Sequence, residues 1–481
     1  MITLTTLNAR YSHTSMGLRY LIANMGELIP QTTITEFTIQ QRPIDIVEEL
    51  LTNRPRIIGF GVYIWNVRET TEVVTLIKAV SPETLIILGG PEVSYEWEEQ
   101  KIVQQADYLL TGMSELEFAP LCQQLISGNP PPQKVIECSV PALDQIEMPY
   151  DFYSDEDIAN RVIYVEASRG CPFKCEFCLS ALDKTSWPFN LEQFLAAMDR
   201  LYRRGVRRFK FVDRTFNLKV ETTLKILSFF HERVDEKLHL HFELVPDHLP
   251  DQLKTSIARF PSGVLQFEIG IQTLNEEVQQ RISRRQDNAK SLANLDWLRS
   301  NRVHIHADLI MGLPGETLEQ FSHSFNELVR LGMPEIQVGI LKRLRGSPIA
   351  RHTEAFNMIY NPLPPYNLLA NSTINFGNMQ RLSRFARYWE MIGNSGRFAQ
   401  SLPLLLGDEP FSQFLKFSDW LFKTTHQTHK INLDRLFRLI FEWLEVTGIE
   451  SGISLTKLRA DFKAIGSGRI IKWLQPEPTK Q

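Results

Sequence analysis

Along the first 128 residues the hydrophobic positions switch repeatedly between two periods. Short apolar runs at residues 2–7, 32–38, 57–62, 85–88 and 108–110 have the length and composition of strands. Between them, apolar residues recur every three or four positions over 16–28, 43–52, 68–80, 97–104 and 115–125, which is the spacing of helices with one buried face. Five strands alternating with five helices predict a parallel, doubly wound α/β domain over residues 1–128. The flavodoxin-like order 2-1-3-4-5 suits that count and places a ligand above the carboxyl ends of the strands.

The run Gly128-Asn129-Pro130-Pro131-Pro132, with further breaks at Pro141 and Pro149, predicts a semi-rigid connector over 129–161. From residue 162 the alternation resumes. Strands are predicted at 162–167, 209–212, 238–244, 264–269, 304–310 and 336–341, with helices such as 191–204 and 319–331 in the gaps. Six strand–helix units predict a partial (β/α)6 barrel over 162–350, since a complete eight-unit barrel takes typically ~250 residues. Pro362, Pro364 and Pro365 break this pattern. Aromatic-rich helical periods such as 411–422 and 433–446 then predict an all-α C-terminal domain over 351–481, expected to cover the barrel mouth.

Composition narrows the function classes. With 43% hydrophobic and 22% charged residues, the 481-residue chain can bury a sizeable core and is not globally disordered. A net charge of −4 supplies no basic field, so nucleic acid is not indicated as a partner. No apolar run approaches the ~20 residues of a membrane helix. The first seven residues are too short and uncharged for a signal peptide. Five cysteines, three of them clustered, point to a reducing compartment and a cytoplasmic protein rather than a disulfide framework. Cys122, in a helical run, and Cys138, in the connector, read as inert thiols.

The clustered thiols stand in Ser168-Arg169-Gly170-Cys171-Pro172-Phe173-Lys174-Cys175-Glu176-Phe177-Cys178. A cube of four irons takes four ligands, so three cysteines leave one iron open. Structural zinc takes four Cys or His ligands, and no fourth is near. The spacing Cys-x3-Cys-x2-Cys, with Gly170 before it and Phe177 inside it, resembles the signature of the radical S-adenosylmethionine (SAM) enzymes. That resemblance covers roughly residues 160–350. It implies a 4Fe-4S cluster on Cys171, Cys175 and Cys178, with SAM chelating the fourth iron.

The resemblance also implies a SAM-binding set. Phe177 would pack near the adenine, and Glu243, at the end of the third barrel strand, would accept a hydrogen bond from the SAM ammonium. Gln272 would hold the ribose, as in coproporphyrinogen-dehydrogenase-like enzymes. Arg284 would pair with the SAM carboxylate through its planar fork, with Arg285 as the alternative partner. Asp308 would hold ribose hydroxyls, and Ile310 and Gly312 would flank the adenine. His304 and His306 read as core or lip residues. The family's Gly-Gly-Glu after the second strand is missing; Asp213 and Thr215 stand there, either as substitutes or facing substrate. The implied chemistry is reductive cleavage of SAM to a 5′-deoxyadenosyl radical, driven by an external electron donor such as flavodoxin or ferredoxin.

A flavodoxin-like domain ahead of such a barrel resembles the cobalamin-binding class of these enzymes. Gly89-Gly90, after the fourth strand, would let backbone lie against the cofactor tail. The Asp-x-His-x-x-Gly motif that supplies a cobalt ligand is absent: His13 has Tyr11 in place of the Asp. Cobalamin without a protein histidine is therefore expected. After the fifth strand only Gly112 and Glu115 match the related Gly-Glu-Gly-Glu pattern. The class implies methylation of an unactivated carbon in a small-molecule or peptide substrate. The alternatives are a radical SAM oxidoreductase or cyclase with a scaffold-only N-terminal domain, and a non-catalytic sensor of cobalamin or cluster state.

Overall fold

In the computed structural model, which describes residues 1–183, 185–466 and 472–474, β1 (Ile2–Asn8) is buried at every position. That is the environment of a central strand covered on both faces. Around it lie β2 (Thr32–Thr38), β3 (Ile57–Gly61), β4 (Leu85–Gly89), β5 (Tyr108–Thr111) and β6 (Val135–Glu137), all parallel, in the order β2-β1-β3-β4-β5-β6. The predicted flavodoxin-like order is present, extended by a sixth strand from within the predicted connector. Three residues were too few to register as a strand in the sequence; pairing with β5 makes them one. The fourth helix, Lys101–Gln105, is shorter than its apolar period because Gln100 Nε2 donates to the carbonyls of Glu92, Tyr95 and Glu96 and holds that segment as a loop.

The connector is also a packed interface. Tyr150 and Tyr153 are buried, and the Tyr150 hydroxyl both donates to and accepts from the Glu166 backbone at 3.0 and 3.1 Å. The helix Asp155–Asn160 starts in a capping box between Ser154 and Asp157. Asp157 then reaches the N-terminal domain. Arg19 Nη2 lies 2.7 Å from Asp157 and 2.9 Å from Glu36, and Arg161 adds a bond of 3.1 Å to Glu36. The Arg19 and Glu36 side chains are 3% and 4% exposed, so these charges are out of water and stand only because they are paired.

The second sheet runs β14-β13-β12-β11-β10-β7, all parallel: β7 (Ile163–Val165), β10 (Arg208–Phe211), β11 (His239–Leu244), β12 (Leu265–Gln272), β13 (His304–Met311) and β14 (Glu335–Ile340). This is the predicted six-stranded open barrel. β7 is shorter than expected because the chain beyond it is diverted into a small antiparallel pair, β8 (Ser168–Arg169) with β9 (Trp187–Pro188), the neck of the cysteine loop. β12 alternates strictly between buried and half-buried positions, and β13 does so after an exposed His304. Leu265, Phe267, Ile269 and Ile271 join the core under the helices. The other face of β12 and β13 carries Glu268, Gln272, His306 and Asp308, an unusually polar interior for a barrel.

The C-terminal region is helical, with one departure from all-α among the described residues: a short antiparallel pair, β15 (Ile359–Tyr360) and β16 (Leu368–Ala370). Its helices share one continuous core with the barrel. The helix Phe376–Ile392 closes the open β14 edge, where Trp389 Nε1 donates to the Ile336 carbonyl at 2.9 Å and Asn394 brackets the same residue. The helix Pro410–Thr425 packs on Leu318–Arg330 through Phe411 against Phe325, and on Phe376–Ile392 through Phe411 against Phe385. The helices therefore buttress the barrel edge, and no described residue beyond 350 lines the cysteine cavity. No helix among the described residues is long and apolar enough to cross a membrane.

Two stability predictions follow from buried charges. Glu36→Gln leaves Arg19 and Arg161 short of a partner at the domain interface and should destabilise the protein by about 3 kcal/mol in chemical denaturation. Glu316 is fully buried, neither carboxyl oxygen has a hydrogen-bond partner, and burial pushes the group up from 4.5 to about 8. The folded state then holds a proton that the unfolded chain releases. Stability should be full below about pH 4.5 and fall as pH rises through about 8, and Glu316→Gln should flatten that fall in denaturation midpoints.

Candidate active site

The cysteine loop leaves the barrel at the carboxyl end of β7, where parallel barrels place their chemistry. Gly170 has φ +84°, and a Cβ there would meet the Trp187 ring at 2.6 Å, so the turn into Cys171 admits only glycine. Cys178 N donates to the Cys175 carbonyl at 3.0 Å, turning the chain between the last two cysteines. All three cysteines are free, and all three line one cavity of about 250 Å³. Cys122 and Cys138 lie elsewhere, and burial pushes both thiols up to about 12, which makes them poor nucleophiles and ligands.

Glu176, between two of the thiols, went unnoticed in the sequence. It is buried and accepts hydrogen bonds from Ser283 and Arg351, with His352 Nε2 at 2.8 Å. Its backbone bonds Ile282 and Ile349 at 3.1 and 2.9 Å. A lone glutamate in a cysteine run carries no sequence signal of this; its partners come from two distant stretches, residues 282–283 and 349–352.

The same cavity is lined by Phe177, Glu243, Gln272, Arg284 and Asp308. Arg284 Nη1 lies 3.4 Å from Cys175 Sγ, and its fork also bonds the Gly270 carbonyl and Gln286. Arg285 lines the cavity too. Gln272 follows a bulge in β12 with φ +66°, a strained value for a non-glycine residue. Its Oε1 is buried without a partner, and its amide occupies the space a Cβ on Gly270 would need. Asp308 Oδ1 is likewise unpartnered; burial and the carboxylate of Glu268 push this group up to about 8. Glu268 is held down to about 2 by its hydrogen bond to His241, 3.1 Å away.

Glu243 does not stand alone. Arg214, another residue that sequence reasoning missed, pairs with it at 3.3 Å on the cavity wall. Asp213 turns away from the cavity. It accepts from Ala167 N at 3.0 Å and Ser168 Oγ at 2.6 Å, bracing the start of the cysteine loop, and burial pushes it up to about 7. Thr215 does line the cavity, with a buried, unpartnered hydroxyl. His304 and His306 sit on the polar inner face beside Glu335, at 3.3 and 3.4 Å, not in the core. Ile310 and Gly312 lie off the cavity lining. At Gly312 a Cβ would meet Leu368 at 2.5 Å, so this glycine is required by the packing of β16.

A second cavity, of about 310 Å³, opens over the carboxyl ends of β3, β4 and β5. Gly17, Gly59, Gly61, Gly89, Gly90 and Gly112 line it, a cradle that side chains would fill. Tyr20 Oη and Glu115 Oε2, from residues on its wall, are buried without partners. A broad ligand with hydrogen-bonding edges fits this cradle. Its far wall is Glu166 and Arg169 of the barrel domain. His13 is outside it, with Nδ1 hydrogen-bonded to the Tyr164 hydroxyl at 2.6 Å. No histidine lines this cavity among the described residues.

Residues 165–328 match the Radical SAM superfamily and residues 2–121 match the B12 binding domain. The chain joins a B12-binding domain to a radical SAM domain. These domains imply a 4Fe-4S cluster, SAM and cobalamin as cofactors, and the three convergent thiols and the glycine cradle fit them. Residues 354–480 match a protein family of unknown function, DUF4080. The chain is 22% identical over 370 residues to an uncharacterized methyltransferase, PH0819, of Pyrococcus horikoshii, covering 72% of this chain and 79% of that protein. It is 23% identical to the cobalamin-dependent radical SAM methyltransferase TokK of Streptomyces tokunonensis, over 60% of this chain and 47% of TokK. In fold it resembles the cobalamin-dependent SAM radical enzyme OxsB (TM-score 0.64, 13% identity, 97% of this chain and 80% of OxsB). It also resembles the radical SAM methyltransferase TsrM of Kitasatospora setae (TM-score 0.58, 14% identity, 72% of this chain and 73% of TsrM).

Cys175→Ala removes one of the three convergent thiols. After anaerobic reconstitution with iron and sulfide, the variant should lose the cluster's visible absorption and most of its bound iron relative to the unchanged chain.

Proposed function

We propose that this protein is a cobalamin-dependent radical SAM methyltransferase that methylates an unactivated carbon of a small-molecule or peptide substrate. The adjacency of the two cavities carries this reading: Arg169 lines the glycine cradle, and Cys171, two residues on, lines the cysteine cavity. Together the cluster, SAM and cobalamin supply one-electron cleavage of SAM and methyl transfer by way of cobalt.

The chain's own residues then bind and orient. Cys171, Cys175 and Cys178 hold three irons. Arg284, with Nη1 3.4 Å from Cys175 Sγ, would pair with the SAM carboxylate by exchanging its bonds to Gln286 and the Gly270 carbonyl. Glu243 receives the ammonium, with Arg214 setting how much of its charge remains free. Gln272 Oε1 and Asp308 Oδ1, both unpartnered, accept from the ribose hydroxyls. Phe177 covers the adenine; Ile310 and Gly312, off the lining, make no contact. Gly89 and Gly90 admit cobalamin against the backbone, and His13, held by Tyr164, is no cobalt ligand. Electrons come from a small external donor such as flavodoxin or ferredoxin. Five free cysteines suit a reducing, cytoplasmic setting.

Anaerobically reconstituted protein, given a reductant, should release 5′-deoxyadenosine and S-adenosylhomocysteine from SAM and copurify with cobalamin visible in its spectrum. An intact cluster with no SAM cleavage would sink the enzymatic reading. Arg284→Lys should weaken SAM binding roughly tenfold or more, measured by equilibrium titration, because a charged bidentate bond is lost.

A further inference from the structure

We propose that Arg169 couples the two cofactor sites, so that loading the cluster tightens cobalamin binding and cobalamin in turn tightens the cluster loop. The inference rests on the cofactor reading above and adds a thermodynamic link between the two cavities.

Arg169 is 10% exposed and spends its guanidinium on both domains. Nε lies 2.7 Å from Glu166 Oε1, at the end of β7, and Nη1 lies 2.7 Å from Glu115 Oε1, in the loop after β5. The guanidinium also stacks over the ring of Tyr20, at 4.5 Å, and of Phe189, at 5.5 Å. Glu115, Glu166 and Tyr20 all line the glycine cradle. Removed from between the two glutamates, Arg169 would leave like charges facing one another out of water, so its position decides the polarity of that wall.

Two atoms on the wall have no partner: Glu115 Oε2, an acceptor, and Tyr20 Oη, a donor and acceptor. The rim of a corrin carries primary amides, which supply both complements. Arg169 orients both residues, through the ion pair to Glu115 and the stack on Tyr20.

The other end of the link is short and stiff. Arg169 pairs with Trp187 in the β8–β9 neck, and Gly170, packed against that ring and the Thr185 carbonyl, is the single residue before Cys171. A thiolate drawn onto iron at Cys171 therefore constrains the guanidinium two residues back. Coupling between binding sites is reciprocal by thermodynamic necessity.

The test is a visible-absorbance titration of the full chain with hydroxocobalamin, cluster-free and after anaerobic cluster reconstitution. Cobalamin should bind roughly tenfold tighter to the reconstituted form. Arg169→Gln and Glu115→Gln should each bring the ratio of the two affinities toward one. Because the readout is a ratio within each variant, general loosening of the fold moves both arms together. Glu36→Gln, which loosens the same domain interface elsewhere, should keep the ratio; losing it there as well would overturn the assignment to Arg169. Equal affinities in the unchanged protein would overturn the coupling and leave the cobalamin reading standing. Absence of binding in both forms would overturn the cobalamin reading itself and the coupling with it.

Discussion

Three thiols share one cluster only while a single loop holds them on the wall of one cavity, and a buried carboxylate fastens that loop. Glu176 sits between the second and third cysteines and ties the loop to two distant stretches, residues 282–283 and 349–352. A carboxylate out of water requires such partners. Asp213 performs the matching task at the loop's start, holding Ala167 and Ser168, and the β8–β9 pair closes the neck. The loop is thus clamped from three directions, and the cavity beyond it inherits its shape from those clamps.

Charge governs the rest of the interior. A partial barrel whose inner face is apolar has only packing to offer a ligand. Here that face carries Glu243, Glu268 and Asp308, with Arg214 paired to the first and His241 and Lys210 beside the second. Asp308 Oδ1 accepts no hydrogen bond, its neighbour His306 Nε2 being 3.8 Å away, and Gln272 and Thr215 add further polar atoms without one. Unpaired polar groups at low solvent exposure cost stability, so a wall that keeps several of them is built to be completed by a polar ligand. The same logic holds at the domain interface, where each charge of the Arg19–Glu36–Asp157–Arg161 cluster faces an opposite one and the cluster acts as a joint, while Glu115 Oε2 and Tyr20 Oη on the cradle have no hydrogen-bond partner.

Much of this was readable from local pattern. Period-two and period-3.6 hydrophobicity is set by neighbours along the chain, so the strands of both sheets except β6 could be anticipated, and their alternation with helices pointed to the order of the first five. The Cys-x3-Cys-x2-Cys spacing is equally local. What went unread was short or relational. β6 has three residues and exists through its pairing with β5. The predicted helix over 97–104 lost its first turn to the side chain of Gln100. The C-terminal helices showed their period but not their place, because where an apolar face docks depends on the surface left open, here the β14 edge. Gly312 looked like a ligand-facing glycine and turned out to make room for Leu368, a residue 56 positions away.

The sequence by itself determined the strand–helix alternation, the open-iron cysteine spacing and the residue types able to hold a charged nucleoside, since each depends on near neighbours and on side-chain chemistry. Tertiary structure alone decided which of those residues meet. It gave Arg214 rather than Asp213 to the cavity, Glu176 to the clamp and His13 to Tyr164. It also set the cradle's wall against the cluster loop through Arg169, because a contact between Glu115 and a residue 54 positions away is fixed by how two domains pack and leaves no trace in local spacing.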